Sequence, residues 1–122
     1  MPIMTAPERA AQIWGILALA ARNRQILTYK MVGKLIGVPA QGLPNLLDPV
    51  HEYCVLRKLP PLTILVVRED TGLPGSGFRA ASAKEYAKGQ LDVFDFDWIS
   101  HGAPTPGELE KAVKAKPSAT AR

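Results

Sequence analysis

A chain of 122 residues with 47% hydrophobic and 21% charged residues has the size and composition of one folded domain, which excludes wholesale disorder. Its lone cysteine, Cys54, excludes an internal disulfide and, with only His51 and His101 for company, a cysteine-based zinc site, so a reducing, cytoplasmic setting is expected. The net charge of +4 is unevenly spread: ten bases face five acids from Arg22 to Lys88, whereas five acids and no Lys or Arg lie from Leu91 to Glu110. A basic middle suits a polyanionic partner.

The N-terminal residues carry no signal-peptide pattern. The apolar run Ile16 to Ala21 is far short of the roughly 20 residues that a membrane helix needs, so no membrane partner is expected.

The first helix is predicted to open at Thr5-Ala6-Pro7-Glu8, where threonine is the N-cap, proline fits the first turn and glutamate completes a capping box. Its apolar stripe is Ala10, Ile13, Trp14, Leu17 and Ala21, and it ends near Asn23. Thr28 caps a second helix over Tyr29 to Ile36, stopped by Gly37 and Val38-Pro39. Met31, Val32, Leu35 and Ile36 form its expected buried face, with Tyr29, Lys30, Gly33 and Lys34 nearer the surface. A third helix over Gln41 to Leu47 completes a helix-turn-helix arrangement. Asp48-Pro49 reads as a fresh N-cap and first helical residue, so a separate fourth helix is expected with Val50, Tyr53, Cys54 and Leu56 inward and His51, Glu52, Arg57 and Lys58 outward.

Leu62 to Val67 is apolar throughout and reads as one buried strand. The turn at Thr71-Gly72 and the run Gly75-Ser76-Gly77 then bring Phe78 and Arg79 back as a return strand, which makes a hairpin wing whose glycines allow close contact with a ligand. The glycines do not follow the order of a nucleotide-binding loop. Ser82 caps a further helix from Ala83 to about Val93. Phe94-Asp95-Phe96-Asp97-Trp98-Ile99 alternates acid and aromatic, which predicts an extended segment with the rings inward and the two carboxylates outward. Thr105 and Glu108 form a second capping box for a last short helix. One domain over residues 1–116 and a disordered tail over 117–122 are expected.

The string Leu27-Thr28-Tyr29-Lys30-Met31-Val32-Gly33-Lys34-Leu35-Ile36-Gly37 resembles the threonine-tyrosine-glycine helix that begins the DNA-binding half of the alkylguanine-DNA alkyltransferase and alkyltransferase-like families. The resemblance covers Leu27 to Arg79. It implies that Gln41 to Leu47 takes the place of the minor-groove helix and Leu62 to Val67 that of the active-site strand. The departures are chemical: that strand has no cysteine, and the histidine and arginine of the family motif are missing, so alkyl transfer is not expected. The base-displacing arginine would fall near Gln41, and Lys30 replaces the family glycine after the tyrosine. The strings Leu59 to Thr63, Thr71 to Phe78 and Val93 to Trp98 are also similar to small uncharacterised bacterial proteins, a match that implies no activity.

The expectation is therefore an α+β, mostly helical chain, a winged helix-turn-helix-like domain with a short β-hairpin and an additional C-terminal helix. Its expected role is non-enzymatic DNA or RNA binding. Lys30, Lys34, Arg57 and Lys58 would meet phosphate, Tyr29, Gln41 and Asn45 would approach sugar or base edges, and Arg68 and Arg79 would flank the wing. Gly75, Ser76 and Gly77 are the loop contact. No cofactor or metal is expected. The alternatives are a protein-interaction module, in phage defence or nucleic-acid metabolism, that receives its partner at the acidic segment Asp92 to Asp97, and a small enzyme using His51, Glu52, Asp70 or His101.

Overall fold

The first helix, α1 (Ala6–Arg22), starts where the sequence places it. The Glu8 amide donates to the Thr5 hydroxyl at 3.3 Å and the Thr5 amide donates to the Glu8 carboxylate at 2.8 Å, so two otherwise orphaned donors are satisfied. That double contact holds the Glu8 carboxyl below its ordinary range. Ala10, Ile13, Trp14, Leu17 and Ala21 are buried, and Trp14 stands edge-on to Tyr53 at 5.3 Å and to Trp98 at 5.5 Å. The computed structural model describes residues 4–72 and 83–115. Gly75, Ser76, Gly77, Phe78, Arg79, the Ser82 cap and the tail 117–122 lie outside the described residues.

Among those residues the chain is mostly helical with one small sheet. Strand β1 (Leu27–Thr28) leads directly into α2 (Tyr29–Ile36). The Thr28 hydroxyl accepts from the Met31 amide at 3.0 Å, and Gly37 closes the helix at φ 75°, a left-handed conformation that favours glycine. The buried face of α2 is Val32, Gly33 and Ile36; Met31 and Leu35 are exposed instead of buried, and Gly33 is buried instead of exposed. The reason lies in the turn that follows: a Cβ on Gly33 would run into the Val38 carbonyl, so the helix packs on its own turn through glycine. That leaves Met31 and Leu35 on the outward side of the helix. Arg9 on α1 donates to the Ile36 carbonyl at 2.5 Å and ties down the far end of α2.

Ala40–Gly42 form a short 3₁₀ turn, and α3 (Leu43–Leu56) then runs without a break. The expected restart at Asp48-Pro49 does not occur. Pro44 sits in the first turn, where its missing N–H costs nothing, and Pro49 lies inside the helix. An interior proline removes one helical hydrogen bond; here Pro49 is buried in a run with Leu47, Val50, Tyr53 and Cys54, and that packing offsets the loss. Glu52 is buried rather than outward-facing, and Leu56 is exposed rather than inward-facing.

The predicted strand over Leu62 to Val67 is also corrected. Leu62–Leu65 form a 3₁₀ turn, and only Val66–Val67 (β2) are extended. β2 pairs with β1 in parallel, Leu27 opposite Val66 and Thr28 opposite Val67. The turn is packed by α1, α3 and α4 (Ala83–Asp95). With helices around it and no strand alongside among the described residues, it satisfies its backbone locally, as in the Ile64 amide donating to the Pro61 carbonyl at 3.0 Å. Gly89 lets α4 close on this turn, because a Cβ there would sit 2.7 Å from the Ile64 Cδ1.

The acid-aromatic segment is not one extended stretch but the end of one helix and the start of another, with a break at Phe96-Asp97. α4 continues through Asp95, and α5 (Trp98–His101) starts with Asp97 as N-cap, accepting from the Ser100 amide at 3.1 Å. The expected sidedness holds: Trp98 is buried, Phe94 and Phe96 pack against the core, and Asp95 and Asp97 face out. The Trp98 indole N–H donates to the Val93 carbonyl at 2.8 Å, which ties the short helix to the end of α4. α6 (Pro106–Lys114) carries the expected Thr105–Glu108 capping box and packs Leu109 and Ala112 against α1 and α3.

Candidate nucleic-acid interface

Lys30 and Lys34 on α2 and Gln41 and Asn45 beyond it are exposed on elements that follow one another in the chain, with the 3₁₀ turn packed on both α2 and α3. Lys30 and Lys34 are one helical turn apart and exposed. Neither has an ion pair among the described residues. Tyr29 is half-buried against the core, which leaves part of its ring at the surface. After the turn that Gly33 anchors, Gln41 is the exposed middle residue of the 3₁₀ segment and Asn45 is exposed in the first turn of α3.

The other expected cations are differently engaged. The Arg57 guanidinium lies over the Tyr53 ring at 5.3 Å and pairs with Glu108 at 3.5 Å, so it joins α3 to α6. Arg68 grips Asp70 through two hydrogen bonds of 3.2 and 3.0 Å, and that contact lowers the Asp70 carboxyl below its ordinary value. Lys58 has no ion pair among the described residues, but it sits at the opposite end of α3 from Asn45, about 20 Å along the axis at 1.5 Å per residue. Arg79 and the loop contact Gly75, Ser76 and Gly77 lie outside the described residues.

Lys58 stands out on a second count. It adopts φ 56°, as Arg24 adopts φ 55°, and both close a helix in the manner usual for glycine. The Leu59 amide reaches the Cys54 carbonyl at 2.8 Å past Lys58, and the Gln25 amide reaches the Ala20 carbonyl at 2.8 Å past Arg24. Arg24 has a structural occupation: it pairs with Asp95 at 3.1 Å and covers the Phe94 ring at 5.2 Å. Nothing within the described residues occupies the Lys58 ammonium in that way.

The acidic segment is not the bare surface that its sequence implies. Asp92 pairs with Lys88 at 3.1 Å, Asp95 with Arg24 at 3.1 Å and Glu110 with Lys114 at 3.0 Å. Asp97 receives the Ser100 hydroxyl at 2.7 Å as well as its amide, and these contacts hold its carboxyl low. Glu108 caps Thr105, which lowers its carboxyl too, and meets Arg57. All five acids after Leu91 are therefore engaged inside the chain.

Of the groups an enzyme would use, Cys54 is 1% exposed, and burial pushes its thiol up to about 11 against the smaller opposing effect of the Leu62 amide. It stays a protonated core residue at neutral pH. His51 and Glu52 are on α3, Asp70 is tied to Arg68 after β2, and His101 ends α5 beside the Trp14 and Phe96 rings. Among the described residues no three His, Cys, Asp or Glu side chains gather closely enough to hold a metal ion, and no helix is long and apolar enough to cross a membrane. The chain matches no protein-family model, no curated protein and no solved structure.

Sequence reasoning missed three features of this region: the Arg9 tie to Ile36, the outward Met31 and Leu35, and the left-handed Lys58. Only the second had a signal, since Gly33 within the helix, four residues before Gly37, marks a side that packs without a side chain.

Proposed function

We propose that the chain is a non-enzymatic nucleic-acid-binding protein of winged helix-turn-helix type, akin to the alkyltransferase-like proteins but without an alkyl acceptor, that engages duplex DNA through α2, the turn and the start of α3. The observation that carries the reading is the edge of α2 formed by Lys30 and Lys34, which have no ion pair among the described residues, followed in the chain by the exposed Gln41 and Asn45, in a molecule whose other described arginines and lysines are largely tied to its own acids or carbonyls. The lysines supply phosphate contacts, and Gln41 and Asn45 supply the polar groups that approach sugar or base edges. Arg68 stands at the base of the proposed wing. The segment that would carry an acceptor cysteine is a core turn, Leu62 to Leu65, with all four side chains buried.

Few phosphate contacts, and a neutral Gln41 where the alkyltransferase-like families carry an arginine, give weak binding with little sequence preference. The test is a salt titration of a fluorescent duplex, with a single-stranded RNA of the same length as comparison. Log affinity should fall with log salt at a slope of roughly −0.9 per phosphate contact, and Lys30→Ala or Lys34→Ala should each flatten it by about one unit. No binding at about 50 mM salt, or binding indifferent to salt, rejects the reading.

A further inference from the structure

The exposed face of α2 is divided along its length. At 3.6 residues per turn Lys30 and Lys34 share one edge, and Met31 and Leu35 share the next, about 100° round the helix. The second pair is far from buried: Met31 is 48% and Leu35 65% exposed, and Ile26, just before β1, is 43% exposed. The turn to α3 lies against Gly33, on the lysine side of the helix, so the apolar edge points away from the groove helix. This face is unsatisfied in two senses at once, with two ammonium groups that have no ion pair among the described residues and two large apolar side chains turned to solvent. Leu91 on α4 shows the contrast. It is as exposed as Met31, but the charges around it, Lys88, Asp92 and Asp95, are already paired within the chain.

A phosphate backbone answers only half of this face, since it brings anions but no apolar surface to an edge turned away from it. An occupant that answers both halves carries carboxylates and branched aliphatic side chains at helical spacing. We propose that the outer face of α2 docks an acidic amphipathic helix of a partner protein, its carboxylates on Lys30 and Lys34 and its apolar ridge on Met31 and Leu35. Such a helix competes with nucleic acid for the same lysines, and so releases it. That competition rests on the DNA reading; the docking itself does not.

The experiment uses the full chain with methyl-labelled methionine and leucine, and as probe a synthetic, roughly 18-residue glutamate-rich helix with leucines at i and i+4. The expected result is saturable movement of the Met31 and Leu35 methyl signals at micromolar peptide, with the α4 to α6 signals unmoved. Leu35→Ser should weaken binding about tenfold, and the double variant Lys30→Gln/Lys34→Gln should weaken it and remove its salt dependence. These positions are exposed, so the variants keep the fold, which circular dichroism verifies. Three results overturn the docking: no movement up to about 1 mM peptide, binding that survives both variants, or duplex DNA alone moving the Met31 and Leu35 methyls as strongly as the peptide does, which would give the whole face to nucleic acid. Peptide binding without DNA binding keeps the docking and removes only the competition. DNA binding without peptide binding removes the docking, and the competition with it, and leaves the DNA reading standing.

Discussion

The C-terminal helices α4 to α6 and the outer face of α2 use the same residue types to opposite ends. In the first region every acid after Leu91 is answered from within, by Arg24, Arg57, Lys88, Lys114 or a helix cap. On α2 two lysines of the same kind have no such answer among the described residues. The individual pairs are exposed, and exposed ion pairs are worth about 0–1 kcal/mol, so the difference is one of surface field rather than stability. Arg24 and Arg57 belong by sequence to the basic middle of the chain, but by structure they neutralise the acidic end. Among the described residues, what is left of the basic middle without an ion pair is Lys30 and Lys34 on α2, Lys58 and Arg22 at the end of α1, a smaller feature than a count of bases along the chain implies.

The largest effect separating the regions should come from apolar side chains of the same size. Leu109 on α6 is fully buried against α1 and α3, whereas Leu35 on α2 is mostly exposed. Leu109→Ala should cost about 2–5 kcal/mol by urea unfolding, from lost burial and the cavity left behind. Leu35→Ser should stay within about 0.5 kcal/mol, as surface changes do. A large loss at Leu35 would break the comparison, because it would show that the α2 face is already covered within the chain.

What was legible in the sequence is what short-range chemistry decides. Thr5 with Glu8, Thr28, Gly37, and Thr105 with Glu108 act on backbone groups within a few residues, so their patterns read directly as helix ends. The mostly helical class follows from those ends. What was not legible depends on distant partners. Pro49 breaks helices locally, yet continues one here because it is itself buried alongside Leu47 and Val50. Leu62 to Leu65 is uniformly apolar, a pattern common to any segment buried on all sides, and only Val66 and Val67 find a strand to pair with, 39 positions upstream at Leu27 and Thr28. For the site, exposure of Lys30, Lys34, Gln41 and Asn45 was legible, but the pairing of Arg57 with Glu108 was not, since it spans 51 residues.

A middle-sized effect should come from the hinge of the α2 region. Gly33 is where α2 meets its turn, and the atom a Cβ would strike is the backbone carbonyl of Val38, which cannot swing aside as a side chain does. Gly33→Ala should therefore destabilise by about 1–3 kcal/mol despite the better helix propensity of alanine. Amide exchange is the informative readout: protection should fall over α2 and the turn, while the Thr105 cap and α6 keep theirs at equal global stability. Uniform loss across both regions would mean that α2 does not move as a unit separate from the C-terminal helices.

The smallest effect is the most diagnostic, because stability and binding should move in opposite directions. Lys58 and Arg24 both occupy a left-handed position that costs a side-chain-bearing residue about 1–2 kcal/mol and glycine almost nothing. Glycine gives part of this back through its freer unfolded chain, so Lys58→Gly should stabilise by roughly 0.5–1 kcal/mol. Arg24→Gly should gain less, since it also gives up the Asp95 pair and the Phe94 contact. If Lys58 is retained for phosphate, its glycine variant should bind duplex DNA with a salt slope about one unit shallower while melting higher. Arg24→Gly, whose charge is already spent on Asp95, should leave the slope unchanged. A Lys58→Gly protein that is more stable and binds with the full slope would show that this ammonium contacts no phosphate, and would confine the nucleic-acid surface to α2 and the start of α3.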